Sequence, residues 1–120
     1  MCDWLVGVVG FAEHAVHEDA GMIVHAELAF GCAMLMLGQQ REDAYGARVG
    51  ALDGRRTDAL YIAVDNADDL FARIAPSGVS VEQMPYDTQY GSREFSVRDR
   101  EGNLWTFGTY WPKISEPPPE

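Results

Sequence analysis

The last third of the chain constrains the fold most, because it predicts two β-strands joined by a tight turn. One strand ends at Asp99, the turn spans residues 100–103, and the second strand covers residues 104–110. Gly102 and Asn103 can adopt positive φ, which a tight turn between right-twisted strands requires. Both strands are rich in aromatic and β-branched residues. The segment therefore predicts a hairpin whose second strand buries Trp105 and Phe107.

The elements before this hairpin form a unit of the type strand–helix–strand. Residues 57–64 predict a strand, and residues 66–75 predict a helix with Asp65 or Asn66 as its N-cap. Pro76 and Gly78 end the helix, and residues 79–84 alternate as a further strand. The apolar stripe of the helix consists of Ala67, Leu70, Phe71 and Ile74.

The first part of the chain follows the same plan. Residues 3–9 predict the end of a helix that stops at Gly10, and three strands follow at residues 11–17, 22–30 and 33–37, with a turn at 19–21. Such internal similarity at one long period indicates a duplicated unit. The strand that would correspond to residues 57–64 falls before Met1, so the first unit is predicted to lack its opening strand.

The turn sequence Asp99-Arg100-Glu101-Gly102-Asn103 resembles the Asp-Pro-(Glu/Asp)-Gly-Asn turn of the glyoxalase / bleomycin-resistance / extradiol-dioxygenase superfamily, also called vicinal oxygen chelate proteins. Arg100 replaces the proline, which removes a φ constraint but keeps the turn. The resemblance implies an α+β fold with two βαβββ modules that form a cleft. We expect the truncated first module at residues 1–38, a linker loop at 39–56, the second module at 57–111 and a poorly ordered tail at 112–120, within one structural domain.

The missing opening strand has three possible explanations: a misassigned start, a truncation, or a strand supplied from elsewhere. A missing strand leaves neighbouring strands unpaired, and unpaired edges recruit other chains. Members of the superfamily are also commonly dimers. We therefore predict a homodimer, with or without exchanged elements.

The resemblance also implies where metal ligands would lie, on the first and last strand of each module. In this sequence those positions are Ala59, Thr106 and Met36, while the fourth position falls on the missing strand. Alanine and methionine cannot bind a hard divalent cation usefully, and threonine is a poor ligand beside a carboxylate. The usual metal site is therefore predicted to be absent, and no cofactor is expected.

A second set of polar residues offers an alternative. His25 and Glu27 lie two apart on a predicted strand and so point to the same face. They could hold a divalent metal with a third ligand that the sequence does not identify. Alternatively, they could form a charge-assisted pair or hold a ligand by hydrogen bonds. His14 and His17 are separated by an odd spacing, which predicts that they face opposite ways at a solvated strand end.

The approach to the hairpin supplies further candidates for ligand binding. Arg93 offers a planar fork for a carboxylate or phosphate, Tyr90 offers a stacking surface, and Asp87 could act on a ligand or simply pair with Arg93. Tyr61 and Met36 could line an apolar, deformable wall. The candidate ligand-binding residues are therefore His25, Glu27, Met36, Tyr61, Asp87, Tyr90, Arg93 and Thr106.

Composition limits the partners. The chain has 120 residues, enough for one sizeable core, and its 19 acidic against 9 basic residues give a formal net charge of −10. This balance argues against nucleic acid and suits a cationic ligand. Cys2 and Cys32 without a secretory leader predict free thiols in a reducing compartment. The apolar start of the chain is too short to span a bilayer, so a cytoplasmic protein is expected.

Three hypotheses follow from these residues. The first is a bleomycin-resistance-like protein, of the kind involved in antibiotic resistance, that binds a small aromatic or amphipathic ligand in the cleft without metal. The second is a metal-dependent lyase, isomerase or dioxygenase of the same superfamily. The third is a structural dimerisation module with an incomplete cleft. Fold resemblance alone does not decide among them, because this scaffold supports many chemistries.

Overall fold

The computed structural model describes residues 1–51 and 58–112. The chain divides into two compact units, Met1–Asp53 and Gly54–Glu120, and the division falls within the predicted linker. Residues 52–56 of that linker, Thr57 of the predicted strand and residues 113–120 of the predicted tail lie outside the described residues.

The first unit begins with a helical segment, which a three-stranded sheet follows. The α-helical turn α1 (Cys2–Trp4) continues as a π-helical turn (Leu5–Val9), and Gly10 ends it with φ 110°. The strands are β1 (Ala12–Asp19), β2 (Met22–Phe30) and β3 (Ala33–Gly38), paired antiparallel in the order β1-β2-β3. The helix end and the three predicted strands are thus confirmed, with β1 extending two residues farther than expected.

The core of the first unit is built from one face of β2. Ala26 and Leu28 are fully buried, as are Leu5 and Val9 of the helical segment. The rings of Phe11 and Phe30 add an aromatic pair whose centroids lie 4.9 Å apart. Because strand residues alternate between faces, the residues on either side of Ala26 and Leu28 point to the other side of the sheet.

The prediction of a continuous loop at residues 39–56 is wrong, because helix α2 (Ala44–Val49) forms within it. The side chain of Asp43 caps this helix by accepting a 2.9 Å hydrogen bond from the Gly46 backbone N–H. Arg41 also donates to the Asp43 carboxylate, and this hydrogen bond lowers the pKa of Asp43. The helix has no long apolar stripe that would identify it in the sequence, and its stability comes from such local contacts.

The second unit is a complete βαβββ module. It consists of β4 (Ala59–Ala63), α3 (Ala67–Ile74), a 3₁₀ turn (Ala75–Ser77), β5 (Ser80–Asp87), β6 (Arg93–Arg98) and β7 (Leu104–Gly108). The sheet order is β4-β7-β6-β5, with β4 parallel to β7 and the other pairs antiparallel. Asn66 caps α3 by accepting a hydrogen bond from the Asp69 N–H. The order and type of these elements confirm the prediction.

One face of the second sheet is buried against α3. Phe95, Phe107 and Trp105 are at most 2% exposed. The ring of Phe71 in α3 meets Phe95 edge-on at 5.2 Å, and Phe95 stacks on Phe107 at 5.3 Å. The prediction that Trp105 and Phe107 form the core is therefore confirmed. Residues that alternate with them must lie on the opposite face.

The turn of the closing hairpin is organised by the side chain of Asp99. This carboxylate is 7% exposed and accepts hydrogen bonds from the backbone N–H groups of Glu101 and Asn103 and from the indole Nε1 of Trp105, at 2.7 Å. Gly102 has φ 89°, while Asn103 does not adopt positive φ. One glycine is therefore sufficient for the turn.

Two further observations concern the cysteines and the helices. Cys2 and Cys32 are both free, the first partly covered and the second exposed. Across the described residues, every helix is too short or too polar to cross a membrane.

Candidate functional site

The face of the second sheet opposite α3 carries a cluster of tyrosines. Tyr61 comes from β4, Tyr86 from β5, Tyr90 from the β5–β6 turn and Tyr110 from the segment after β7. Tyr61, Tyr86 and Tyr90 are each about two-fifths exposed, at 39%, 42% and 42%. The rings of Tyr90 and Tyr110 meet edge-on, with centroids 5.6 Å apart. We call this surface the tyrosine face.

A buried carboxylate lies within the tyrosine face. Glu94 is only 5% exposed, and it pairs across the sheet with Tyr86 on one side and Gly108 on the other. The phenol of Tyr90 donates a 2.7 Å hydrogen bond to its Oε2 atom. This hydrogen bond to the charged acceptor raises the pKa of Tyr90 to about 12, because the phenol must keep its proton to donate.

Gly108 makes room for the side chains on this face. A Cβ at Gly108 would lie 2.6 Å from both Glu94 Cγ and the Tyr61 hydroxyl. The two side chains therefore meet over this glycine. The Tyr61 hydroxyl donates to the carbonyl of Tyr110 at 2.7 Å, and partial burial raises the pKa of Tyr61.

Ser92 continues this polar layer. It is 1% exposed, and its hydroxyl accepts a hydrogen bond from the Tyr110 N–H at 3.0 Å. Farther along the same face, the hydroxyls of Ser96 and Thr106 are 2.7 Å apart and share one hydrogen bond. A strip of hydroxyl groups and one carboxylate thus runs beneath the exposed tyrosines.

Asp87 and Arg93 do not belong to the tyrosine face. They pair with each other across β5 and β6, one position beyond the Tyr86–Glu94 pair, so their side chains point to the α3 side of the sheet. Arg93 contacts Asp68 in α3 at 3.2 Å and Asp87 at 3.5 Å. The hydrogen bond with Asp68 raises the pKa of Arg93. These contacts join the start of β6 to α3 and pair the Arg93 guanidinium with two carboxylates.

The first sheet presents a second polar surface on the face opposite Ala26 and Leu28. His25 Nε2 lies 3.2 Å from Glu27 Oε2, and His14 Nε2 lies 4.0 Å from Glu27 Oε1. His17 pairs with His25, with ring centroids 5.8 Å apart. Met36 on β3 pairs with Glu27 and is 62% exposed. We call this surface the histidine face.

The prediction that His14 and His17 face opposite ways is wrong. The pairing register between β1 and β2 shifts between Glu13 and Ala15, which leaves His14 as an extra residue in a bulge. A bulge breaks the two-residue alternation of side chains. The bulge brings His14 toward Glu27, while His17 pairs with His25. His14 and His17 therefore both lie beside the His25–Glu27 pair on β2.

The structure thus sorts the predicted site residues onto three surfaces. Tyr61, Tyr90 and Thr106 share the tyrosine face of the second unit. His25, Glu27 and Met36 share the histidine face of the first unit. Asp87 and Arg93 lie on the α3 side of the second sheet.

Comparison with known proteins places the chain in a family. The family model for the glyoxalase/bleomycin resistance protein/dioxygenase superfamily matches residues 1–107. The chain belongs to this superfamily. No curated protein matches it.

Several solved structures share the fold. TioX from Micromonospora sp. ML1 is 31% identical, with 89% of this chain and 85% of TioX covered and a TM-score of 0.70. A glyoxalase/bleomycin resistance protein/dioxygenase family enzyme from Burkholderia phytofirmans PsJN is 21% identical, with 90% of this chain and 86% of that enzyme covered, and also has a TM-score of 0.70. TnmS3, an antibiotic binding protein from Streptomyces sp. CB03234, is 23% identical, with 88% and 79% covered and a TM-score of 0.63.

The residues at the metal positions implied by the superfamily do not fit a divalent metal. Ala59 has no donor atom, and the Thr106 hydroxyl already bonds to Ser96. Met36 offers only a thioether, which a hard cation does not favour. No cluster of three or more histidine, cysteine or carboxylate side chains suited to a metal occurs within residues 1–51 and 58–112.

Sequence reasoning missed Glu94 as a site residue. A signal was present, because Glu94 alternates with the core residues Phe95 and Val97 and so shares a face with Thr106. What the sequence did not indicate is that this carboxylate is buried, since Gly108 and the tyrosines that cover it come from other segments.

Proposed function

We propose that this chain binds a small aromatic or amphipathic molecule and releases it unchanged, without the help of a metal. The observation that carries the proposal is the tyrosine face itself. Exposed aromatic surface concentrated in one place on a sheet commonly marks a binding site. Tyrosine rings provide stacking area, and their hydroxyls fix the orientation of the ligand.

The comparisons support a ligand of this kind. TnmS3 is an antibiotic binding protein with the same fold, and the superfamily model includes bleomycin resistance proteins. We infer that the ligand of this chain belongs to the same broad group of small molecules. Placement of that ligand in a cleft between two modules remains a prediction from the family resemblance. A homodimer and a cytoplasmic location remain predictions from the sequence.

The residues of the tyrosine face are better suited to binding than to catalysis. The Tyr90 phenol keeps its proton to about pH 12, so it does not act as a base near neutral pH. The hydroxyls of Ser96 and Thr106 share a hydrogen bond with each other, and neither is a general base that could activate the other as a nucleophile. Reversible binding requires neither a deprotonated phenol nor a hydroxyl activated by a general base.

The alternative of a metal-dependent lyase, isomerase or dioxygenase rests on the histidine face. His25 Nε2 lies 3.2 Å from Glu27 Oε2, and imidazole with carboxylate is a donor pair that suits several divalent metals. A metal held there would need a further ligand, because the described residues contain no set of three or more such side chains arranged for a metal. The same contacts are also those of a charge-assisted group without metal. Metal content decides between these two interpretations.

The test combines elemental analysis, mass in solution and ligand recovery on one preparation of untagged protein. We expect less than stoichiometric metal, and reversible binding of aromatic drugs detected by calorimetry, with the drug recovered at its original mass. About one equivalent of divalent metal per chain, together with a chemically altered product, would overturn the proposal. A matched His25→Ala variant then shows whether the histidine face holds that metal.

A further inference from the structure

We propose that the Glu94 carboxylate is an anchor for a cationic group of the ligand, an ammonium or guanidinium, which the tyrosines surround. This inference rests on the proposed ligand binding at the tyrosine face and narrows the class of ligand. It concerns the charge of the ligand, which the fold and the family do not specify.

Glu94 has no countercharge in the part of the chain that the structure describes. Among the described residues, no arginine, lysine or histidine forms a salt bridge with Glu94. Arg93 is next to it in the chain, but its guanidinium lies on the α3 side and contacts Asp68 and Asp87. Arg98 shares the face of Glu94, but it donates to Glu82 and to the Gly102 carbonyl.

The Glu94 carboxylate is buried, and the described residues fill only part of its hydrogen-bonding capacity. Glu94 is 5% exposed and Tyr90 donates to Oε2. Within the described part of the chain, Oε1 accepts no hydrogen bond. A buried carboxylate has about four acceptor sites, and leaving them unfilled away from water is unfavourable. A ligand that donates a hydrogen bond to Oε1 would fill an acceptor site that no described residue fills.

The aromatic surroundings of the Glu94 carboxylate suit a cation. Tyr86 is directly across the sheet from Glu94, Tyr61 meets it over Gly108, and Tyr90, which bonds to it, meets Tyr110 edge-on. Aromatic rings attract cations through their electron-rich faces, and a set of rings around one position is a common way to bind quaternary ammonium. The net charge of −10 further favours the approach of a cation.

The Tyr90 hydrogen bond indicates how the ligand gains access. The phenol occupies one carboxylate oxygen in the unliganded protein, and Tyr90 is 42% exposed at the end of a turn. A cation that reaches Oε1 adds to this contact, and one that also takes Oε2 replaces the phenol. Removing only the hydroxyl should therefore make the carboxylate more available.

The experiment compares two probes of the same shape that differ by one charge, tyramine, whose ammonium can donate to Oε1, and 4-propylphenol, by titration calorimetry with the full chain. We expect the cation to bind about tenfold more tightly than the neutral probe. Glu94→Gln should remove that difference, so that the ratio of the two affinities falls to about one. Asp69→Asn, which makes the same change in net charge at an exposed position of α3, should keep the difference.

A second variant keeps the test informative if Glu94→Gln does not fold. Tyr90→Phe retains the ring and removes the hydrogen bond to Oε2, so it should raise the ratio of the cation's affinity to that of the neutral probe severalfold. Equal affinity of both probes for wild type and both variants would overturn the anchor and leave the proposed binding function intact. Binding of neither probe at millimolar concentration would count against the binding function itself, and the anchor would fall with it.

Discussion

The Tyr90 phenol donates a 2.7 Å hydrogen bond to Glu94, a carboxylate that is 5% exposed on a sheet face otherwise rich in tyrosine. The two residues are four apart in the chain, and the β5–β6 turn folds one over the other. This contact links the most buried charge of the tyrosine face to one of its most exposed rings. It is also the contact whose loss is easiest to detect by spectroscopy.

The ionisation of Tyr90 should reveal this contact. Its pKa is raised from 10.0 to about 12, first by the hydrogen bond to Glu94, so in a spectrophotometric titration at alkaline pH the Tyr90 phenol should ionise later than an ordinary phenol. Glu94→Gln should lower that pKa toward 10, since an amide accepts a weaker hydrogen bond than a carboxylate. An unchanged titration curve in Glu94→Gln would contradict the contact.

The same shift predicts how stability depends on pH. The folded-state pKa of Tyr90 is higher than that of the unfolded chain, so its stabilising contribution is complete below pH 10 and is lost as pH rises through 12. Denaturant unfolding of wild type and Tyr90→Phe at pH 9 and pH 12 measures this. The difference in unfolding free energy between the two proteins should shrink at the higher pH.

Asp99 should be one of the costliest polar residues to remove. Asp99→Ala leaves the Trp105 indole N–H and the backbone N–H groups of Glu101 and Asn103 without this acceptor. We expect the free energy of unfolding to fall by about 2–4 kcal/mol, measured by urea denaturation. Glu101→Ala, an exposed carboxylate in the same turn, is the control and should change stability by less than about 0.5 kcal/mol.

A side chain at position 108 should destabilise the fold for steric reasons alone. A Cβ there would lie 2.6 Å from Glu94 Cγ and from the Tyr61 hydroxyl, so Gly108→Ala should cost about 1–3 kcal/mol of unfolding free energy. It should also weaken ligand binding, because it displaces both side chains. Gly38→Ala is the matched control, since that glycine ends β3 and a Cβ added to it would have nothing within 4 Å. Equal effects of the two substitutions on stability would contradict the packing over Gly108.

Arg93 should prove structural. Its guanidinium contacts Asp68 and Asp87 on the α3 side of the sheet, so Arg93→Ala should leave the affinity for the probes unchanged. Exposed ion pairs contribute little to stability, so the thermal midpoint should also stay close to that of wild type. Glu94→Gln serves as the comparison. A tenfold loss of probe affinity in Arg93→Ala would show that Arg93 belongs to the binding site.

Much of the fold could be predicted from local patterns. The helix α3 was marked by its Asn66 cap and its apolar stripe, and the strands β2 and β7 by alternation and β-branched or aromatic residues. These signals are strong because period and capping depend on neighbours in the chain. Helix α2 was missed because it has only six residues and depends on the Asp43 cap.

The composition of the candidate site was less predictable. Asp87, Tyr90 and Arg93 lie within seven residues of one another, which suggested a common loop. The antiparallel pairing of Asp87 with Arg93 turns both toward α3, whereas Tyr90 reaches the opposite face. The bulge at His14 similarly moved that residue toward Glu27. A shift of one residue in register reverses the face of every side chain that follows it.

The sequence by itself determined the family, the α+β class and the order of elements within each module, because these depend on periodicity, turn residues and one recognisable hairpin. The tertiary structure decided which side chains share a surface. Glu94 is buried only because Gly108 on β7, Tyr61 on β4 and the Tyr90 turn come together around it. Burial and the pairing of charges depend on contacts between distant segments, and such contacts exist only after the sheet has formed.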